Sequence, residues 1–328
     1  MKRARITGLG HYVPPKVVTN DDLSKIMDTS DAWIRERTGI EKRHFVEAGV
    51  GTADLAFEAT KKALQDAKKD SKAIDFIILA TLSPDYFFPG SGVLLQSKLG
   101  IDSIGALDIR TQCTGFIYGL SVADTMIRAG QYERILLVGS EVHSKALDLS
   151  TRGRDLAVLF GDGAGAVFIE AEEGENGILS THLHSDGRYA KNLWVETPGS
   201  LSPISQQSVE EGRHFPKMNG REVFKHAVTK FISVIQEALK ANQISKDEID
   251  LLVVHQANLR IAEAVRECLH LPPEKIYNNI QRVGNTTAAS IPMALSEAKA
   301  EGKLKKGDLV CLAAFGSGFT WGSALIRW

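Results

Sequence analysis

A helix end, a linker and a strand occur twice in this chain with the same spacing. Ala63-Leu64 leads to Ile74-Asp75-Phe76-Ile77-Ile78, and Ala238-Leu239 leads to Ile249-Asp250-Leu251-Leu252-Val253, with eleven residues from Ala to Ile each time. Further on, Phe160-Gly161-Asp162-Gly163-Ala164-Gly165 is echoed by Phe315-Gly316-Ser317-Gly318-Phe319, each running into a closing apolar strand. Matched spacing at two places marks a duplicated supersecondary unit, whose copies bury their apolar faces together. The copies are expected to meet near residue 175, in the turn 172–176, giving an N-terminal half 1–175 and a C-terminal half 176–328.

The pattern within each copy is α/β. Apolar runs bounded by turn residues predict buried strands at 76–81, 135–139, 251–255 and 309–315. Apolar residues at helical spacing predict helices over 52–67 and 222–241. The stretch 188–218 reads as a long polar excursion in the second half, and loops of that length are usually functional.

Composition narrows the function classes. Thirty-nine Lys and Arg against forty Asp and Glu leave a formal charge of -1, so no global field draws the chain to nucleic acid or an anionic membrane. The N-terminal segment lacks the apolar run of a signal peptide, and no stretch approaches the roughly 18 to 20 apolar residues of a membrane helix. A cytoplasmic protein is expected. Three cysteines, Cys113, Cys268 and Cys311, without CxxC spacing argue against a disulfide framework and a zinc site, and leave at least one free thiol.

Three residues carry candidate chemistry. Cys113 falls where a short strand meets a helix running through Ile117, Leu120 and Met126; a helix N-terminus favours thiolate and is expected to pull the thiol below its free value of about 8.5. His255 ends a buried strand, where α/β proteins place catalysts. Asn285 opens a helix of small residues and is read as occupying in copy two the place of Cys113 in copy one, 36 residues after Ile249 against 39 after Ile74. Each also has an ordinary role open to it: an inert buried thiol, a structural histidine, a helix N-cap. Gly161 to Gly165 lacks the features of a phosphate loop and reads as tight turns.

Together with Thr29-Ser30-Asp31-Ala32-Trp33-Ile34, Arg37-Thr38-Gly39-Ile40, Cys113-Thr114-Gly115-Phe116, Arg152-Gly153, His182-Leu183-His184-Ser185-Asp186-Gly187, His255-Gln256-Ala257-Asn258, Asn285-Thr286-Thr287-Ala288-Ala289-Ser290 and Gly318-Phe319-Thr320-Trp321-Gly322-Ser323, these residues resemble the β-ketoacyl-acyl-carrier-protein synthase III family of the thiolase superfamily over essentially the whole chain. That resemblance implies a duplicated thiolase-like fold of five layers, αβαβα, a homodimer, and a decarboxylative condensation of an acyl-CoA primer with malonyl-acyl-carrier protein that needs no cofactor or metal. It assigns Cys113 as nucleophile, His255 and Asn285 as donors to the malonyl thioester carbonyl, and the backbone N–H groups of Cys113 and Ser317 as the oxyanion hole. It gives CoA Trp33 and Arg37 as an adenine sandwich, with Thr38, Arg152, Gly220, Phe224 and Asn258 along the pantetheine route. Arg221, Lys225 and Arg260 form the expected docking patch for the acidic carrier protein, and Phe88 matches a residue inserted into the partner subunit's acyl pocket, which implies a short primer. Ser317 stands where the family has a glycine, and Arg110-Thr111-Gln112 where it has small residues. The alternatives are a sister acyltransferase or polyketide-type condensing enzyme on the same scaffold, a non-catalytic ketosynthase-like subunit, and a cysteine hydrolase, since Cys, His and Asn share that chain order in papain-like proteases.

Overall fold

Two sheets carry the architecture of the computed structural model, which describes residues 2–328. The first contains β1 (Lys2–Tyr12), β2 (Phe76–Ala80), β3 (Gly105–Ile109), β4 (Arg134–Glu141) and β5 (Gly163–Glu173) in the order β1-β5-β4-β2-β3. The second contains β6 (Gly177–Ser185), β7 (Leu251–Val254), β8 (Leu309–Gly316) and β9 (Thr320–Arg327) in the order β7-β8-β9-β6. In the first sheet β4, β2 and β3 pair parallel, while β5 pairs antiparallel with both β4 and β1; in the second β7 and β8 pair parallel, while β9 pairs antiparallel with both β8 and β6. Strands β2, β4, β7 and β8 are buried nearly throughout, which explains why they read as continuous apolar runs instead of alternating ones.

Six helices complete the layers: α1 (Thr52–Ala67), α2 (Ser91–Lys98), α3 (Gly115–Arg128), α4 (Gly220–Ala241), α5 (Leu259–Cys268) and α6 (Ser290–Ala300). Helices α1 and α2 cover the outer face of the first sheet, and α4 and α5 the outer face of the second. Helices α3 and α6 lie between the sheets, and the central core joins Phe116, Leu120 and Ile127 to Ile291 and Leu295 with side chains of both sheets. The result is the five-layer αβαβα arrangement. Among the described residues no helix is long and apolar enough to cross a membrane.

The repeat is regular at the level of elements. Strand and helix starts recur 175 positions apart: Lys2 and Gly177, Phe76 and Leu251, Gly115 and Ser290, Arg134 and Leu309. The repeated aspartate has the same task in both copies. Asp75 accepts the Arg134 N–H at 2.9 Å and Asp250 accepts the Leu309 N–H at 2.8 Å, so each carboxylate closes the start of the neighbouring central strand.

Two sequence alignments of the copies need correction. Phe315 and Gly316 end β8 and reach β9 through the tight turn Ser317-Gly318-Phe319, whereas Phe160 and Gly161 end a long connection that leaves β4 at Glu141 and enters β5 at Gly163. Composition matched there because both segments make close turns into an antiparallel strand. The second correction concerns Asn285. A short 3-10 turn, Gln112–Thr114, precedes α3, and its counterpart Thr287–Ala289 precedes α6, each opened by a residue in the left-handed region, Gln112 at φ 49° and Thr287 at φ 48°. Cys113 therefore corresponds to Ala288 (288 − 113 = 175), three residues beyond Asn285. In the second half, Leu252 bridges Ile276 where Ile77 pairs Ala106 in the first. Eleven residues then separate Ile276 from Thr287, against six from Ala106 to Gln112, and this longer segment carries Asn285.

The excursion 188–218 is not featureless. Leu193–Trp194 pairs antiparallel with Lys217–Met218, closing its base beside the site, while its tip exposes Leu201 and Ile204.

Candidate active site

Cys113, His255 and Asn285 line one inner pocket of about 100 Å³, together with Phe224, Phe231 and Gly316. An outer cleft of about 650 Å³ shares Leu159, Met218, Gly220 and Asn258 with it and opens past Trp33, Arg37, Thr38, Arg152 and Arg260. The nucleophile candidate thus lies at the closed end of a channel entered from the α4 and α5 side.

The setting of Cys113 overturns the expected direction of its acidity. The thiol is buried beneath Gly316, where an added Cβ would come within 2.5 Å of the Cys113 Cβ. Burial pushes the thiol up to about 12, and the Glu141 carboxylate adds to the rise. The Ser317 and Cys113 backbone N–H groups and the Thr287 hydroxyl act in the opposite direction. The helix N-terminus is there, but removal from water outweighs it in the empty pocket. Ser317 adopts no left-handed conformation; the loop takes its positive φ at Gly318, at 132°, so a serine serves where the family has glycine.

His255 follows β7 and is held by its own N–H donating to the Ala313 carbonyl at 2.8 Å. Burial pushes its imidazole down to about 3, with a further contribution from His143, so the ring is neutral and carries one hydrogen. Ser290 Oγ lies 2.7 Å from Nδ1 and accepts the Gln256 N–H at 3.4 Å. Ser290 Oγ can serve Nδ1 in either sense, and it donates to Nδ1 when the ring hydrogen is on Nε2. Nε2 is buried without a partner. A buried donor left unpaired costs free energy unless a ligand meets it, and such groups mark sites.

Asn285 is fixed from both sides. Its N–H donates to the Leu159 carbonyl at 2.8 Å, and its carbonyl accepts from the Gly161 N–H at 3.1 Å. The side-chain Oδ1 accepts the Thr287 N–H at 2.9 Å, which leaves the amide NH2 as the free end. Asn and neutral His together offer donors, with no base of suitable strength.

Other residues singled out from the sequence are placed as follows. Arg37 stacks directly on Trp33, 4.4 Å from the ring centroid, so it must swing away before a flat ring can enter between them. The Thr38 hydroxyl is spent inside its own helix end, donating to the Ile34 carbonyl at 2.7 Å and accepting the Ile40 N–H at 3.0 Å. Asn258 caps α5 by accepting the Arg260 N–H at 2.9 Å and donates to the Arg37 carbonyl at 2.9 Å. Arg152 is paired with Asp148 at 2.6 Å. Arg221 and Lys225 are exposed on the first turns of α4, outside the cleft lining, while Arg260 is exposed at its rim. Phe88 is 81% exposed beside Phe87, far more open than an isolated core aromatic.

Sequence reasoning missed Glu141, His143 and Thr287. Glu141 is fully buried, accepting from the Ser83 hydroxyl at 2.6 Å, the Thr81 hydroxyl at 3.1 Å and the Leu82 N–H at 3.2 Å; burial lifts it to about 7. The signal was present in two titratable residues directly after the apolar run 135–139. Arg154, 5.2 Å from the Trp33 ring, and Phe215 in the cleft wall were also missed.

Comparison with known proteins decides the family. The profile described as 3-oxoacyl-acyl-carrier-protein synthase III matches residues 107–187, and that of its C-terminal part matches residues 239–328. The β-ketoacyl-acyl-carrier-protein synthase III of Xanthomonas euvesicatoria is 47% identical over 325 residues, covering 99% of this chain and 98% of the relative. The chain belongs to the β-ketoacyl-acyl-carrier-protein synthase III family. Among solved structures, the family's enzyme from Aquifex aeolicus VF5 superposes with a TM-score of 0.92 at 41% identity, covering 99% of this chain and 100% of the other. The priming β-ketosynthase of the R1128 polyketide pathway gives a TM-score of 0.90 at 28% identity, covering 99% and 96%. The synthase III fold thus matches this chain end to end.

Proposed function

We propose that the chain carries out the initiating condensation of fatty-acid synthesis, joining an acyl-CoA primer to malonyl-acyl-carrier protein with loss of CO2 to give 3-oxoacyl-acyl-carrier protein. The observation that supports it best is a cysteine at the end of a closed channel whose other wall presents two side-chain donors and no base. Cys113 attacks the primer thioester, the backbone N–H groups of Cys113 and Ser317 receive the oxyanion, and CoA leaves as the thiol. Malonyl thioester then enters the vacated channel, and His255 Nε2–H and the Asn285 amide donate to its carbonyl. Breaking the carboxylate bond releases CO2 and leaves the electron pair as an enolate held by those donors; it attacks the acyl-cysteine and expels the Cys113 sulphur. Neutral His255 suits this work, because a donor is needed where negative charge appears.

The finer parts of the reading belong with it: cytoplasmic residence, no cofactor beyond the CoA thioester, a division into halves at residue 175, CoA in the outer cleft, and carrier-protein docking on Arg221, Lys225 and Arg260. A homodimer is supported by the exposed Tyr86, Phe87 and Phe88 near β3, an edge strand of the first sheet that has no buried residue. Priming of a polyketide is the second reading, favoured by the R1128 likeness at lower identity. Intact-mass measurement after acyl-CoA, followed by malonyl-acyl-carrier protein and CO2 release, tests the proposal. An adduct on Cys113 cleared with CO2 supports it, an adduct cleared only by another acceptor favours the second reading, and absence of any adduct sinks both.

A further inference from the structure

Among the buried titratable side chains that the mechanism leaves without work, His143 is separated from the nucleophile by a single residue. His143 follows β4, and its ring Nε2 lies 2.8 Å from the Thr287 hydroxyl. That hydroxyl is in turn one of the polar groups that act to hold the Cys113 thiol down, and the two turns that carry them touch. The path crosses between the halves at the place where the turn Gln112–Thr114 meets its counterpart Thr287–Ala289.

The placement is built. The His143 ring is buried against Phe160, with centroids 4.6 Å apart, and its backbone N–H donates to Asp162 Oδ1 at 2.7 Å. Thr287 is β-branched and stands at φ 48°, a conformation such residues disfavour, and the Asn285 side chain holds it there by accepting its N–H. In that conformation its hydroxyl lies between an imidazole and a thiol.

We propose that His143 is a positioning residue for the Cys113 nucleophile: its Nε2–H donates to the Thr287 oxygen and so turns the Thr287 hydroxyl hydrogen toward the sulphur as thiolate forms. This rests on Cys113 being the nucleophile, as proposed above. The sulphur then has three donors: its own N–H, the Ser317 N–H and the Thr287 hydroxyl. A full proton transfer along the same path is the weaker arrangement. Burial holds the thiol up and the imidazole down, so moving a proton from one to the other is opposed at both ends. The neutral relay requires no buried imidazolium. The titratable groups facing this path are Glu141 at the end of β4, which opposes thiolate, Asp162 behind His143, and His255 across the pocket.

The test reads the thiol directly, without the condensation. The rate of Cys113 alkylation by iodoacetamide is followed against pH in the full-length protein, for the wild type, His143→Phe, Thr287→Val and the double variant. His143→Phe keeps the ring packing on Phe160 and removes the hydrogen bond; Thr287→Val keeps the shape and removes the hydroxyl. Each single change is expected to raise the midpoint of the profile by about one pH unit, making alkylation about tenfold slower below it, and the double variant is expected to match the singles. Thr287→Ser restores the wild-type profile. A profile unchanged in His143→Phe, or a double variant whose shift is the sum of the singles, overturns the proposal. If His143→Phe fails to fold, His143→Leu, which also lacks a donor, with Thr287→Val supplies the same comparison. A wild-type thiol that alkylates but takes no acyl group from acyl-CoA would overturn the proposed function instead, and the two failures are thereby distinguished.

Discussion

In the proposed condensation, side-chain chemistry at the pocket divides into one group that gains charge and two that stay neutral. Cys113→Ser is expected to abolish the acyl adduct seen by intact mass. His255→Ala and Asn285→Ala are expected to retain the adduct while condensation with malonyl-acyl-carrier protein falls roughly 10^2 to 10^3-fold each, the usual loss for one donor to a developing oxyanion; single-turnover kinetics separates the half-reactions. Glu141 makes a prediction of its own. Its folded-state value of about 7 lies above the ordinary 4.5, so between those values the native state holds more protons than the unfolded chain and stability falls as pH rises. Glu141→Gln removes that slope, and its melting temperature relative to the wild type is expected to climb from pH 4.5 to 7 in a thermal-unfolding series. At this scale the sequence was informative about identity and poor about environment. Cys113, His255 and Asn285 could be picked from their motifs, but the acidity of Cys113 was misread because helix polarity is visible in a sequence and the depth of burial under Gly316 is not.

Elements were more legible than their correspondence. Helix α1 spans the predicted 52–67, and the buried strands lie within a residue or two of their expected positions, because continuous apolar runs between turn residues leave few other assignments. What failed was the pairing of Asn285 with Cys113, since the extra residues between Ile276 and Thr287 shift a motif relative to a turn whose marker is a backbone angle. The same region yields a steric prediction. Gly316→Ala would bring a methyl group to 2.5 Å from Cys113 Cβ and 3.0 Å from its sulphur, so the turn and the strand end must part. Overpacking of this kind costs ~1–3 kcal/mol. A lowered denaturation midpoint together with loss of Cys113 acylation is expected, and activity at the wild-type level would show that the contact is relieved without moving the nucleophile.

For the whole molecule, the exposed aromatics at 86–88 and the open edge of β3 predict a particle of twice the 35.8 kDa chain mass by light scattering, and Phe87→Ser with Phe88→Ser is expected to shift it toward one chain. The expectation of a dimer came only through family resemblance, since nothing in periodicity distinguishes an aromatic that would meet a partner from one in a core. The paired aspartates have a different consequence. Asp75 and Asp250 close the same strand junction in two sheets that face the same helical layer, so the molecule contains a replicate of one experiment. Asp75→Asn and Asp250→Asn impose the same chemical injury on either side of that layer. If both proteins melt in one step at the same temperature, the two sheets share a single cooperative fate; if one loosens first, its copy is the weaker partner, and its twin serves as the control within the same chain.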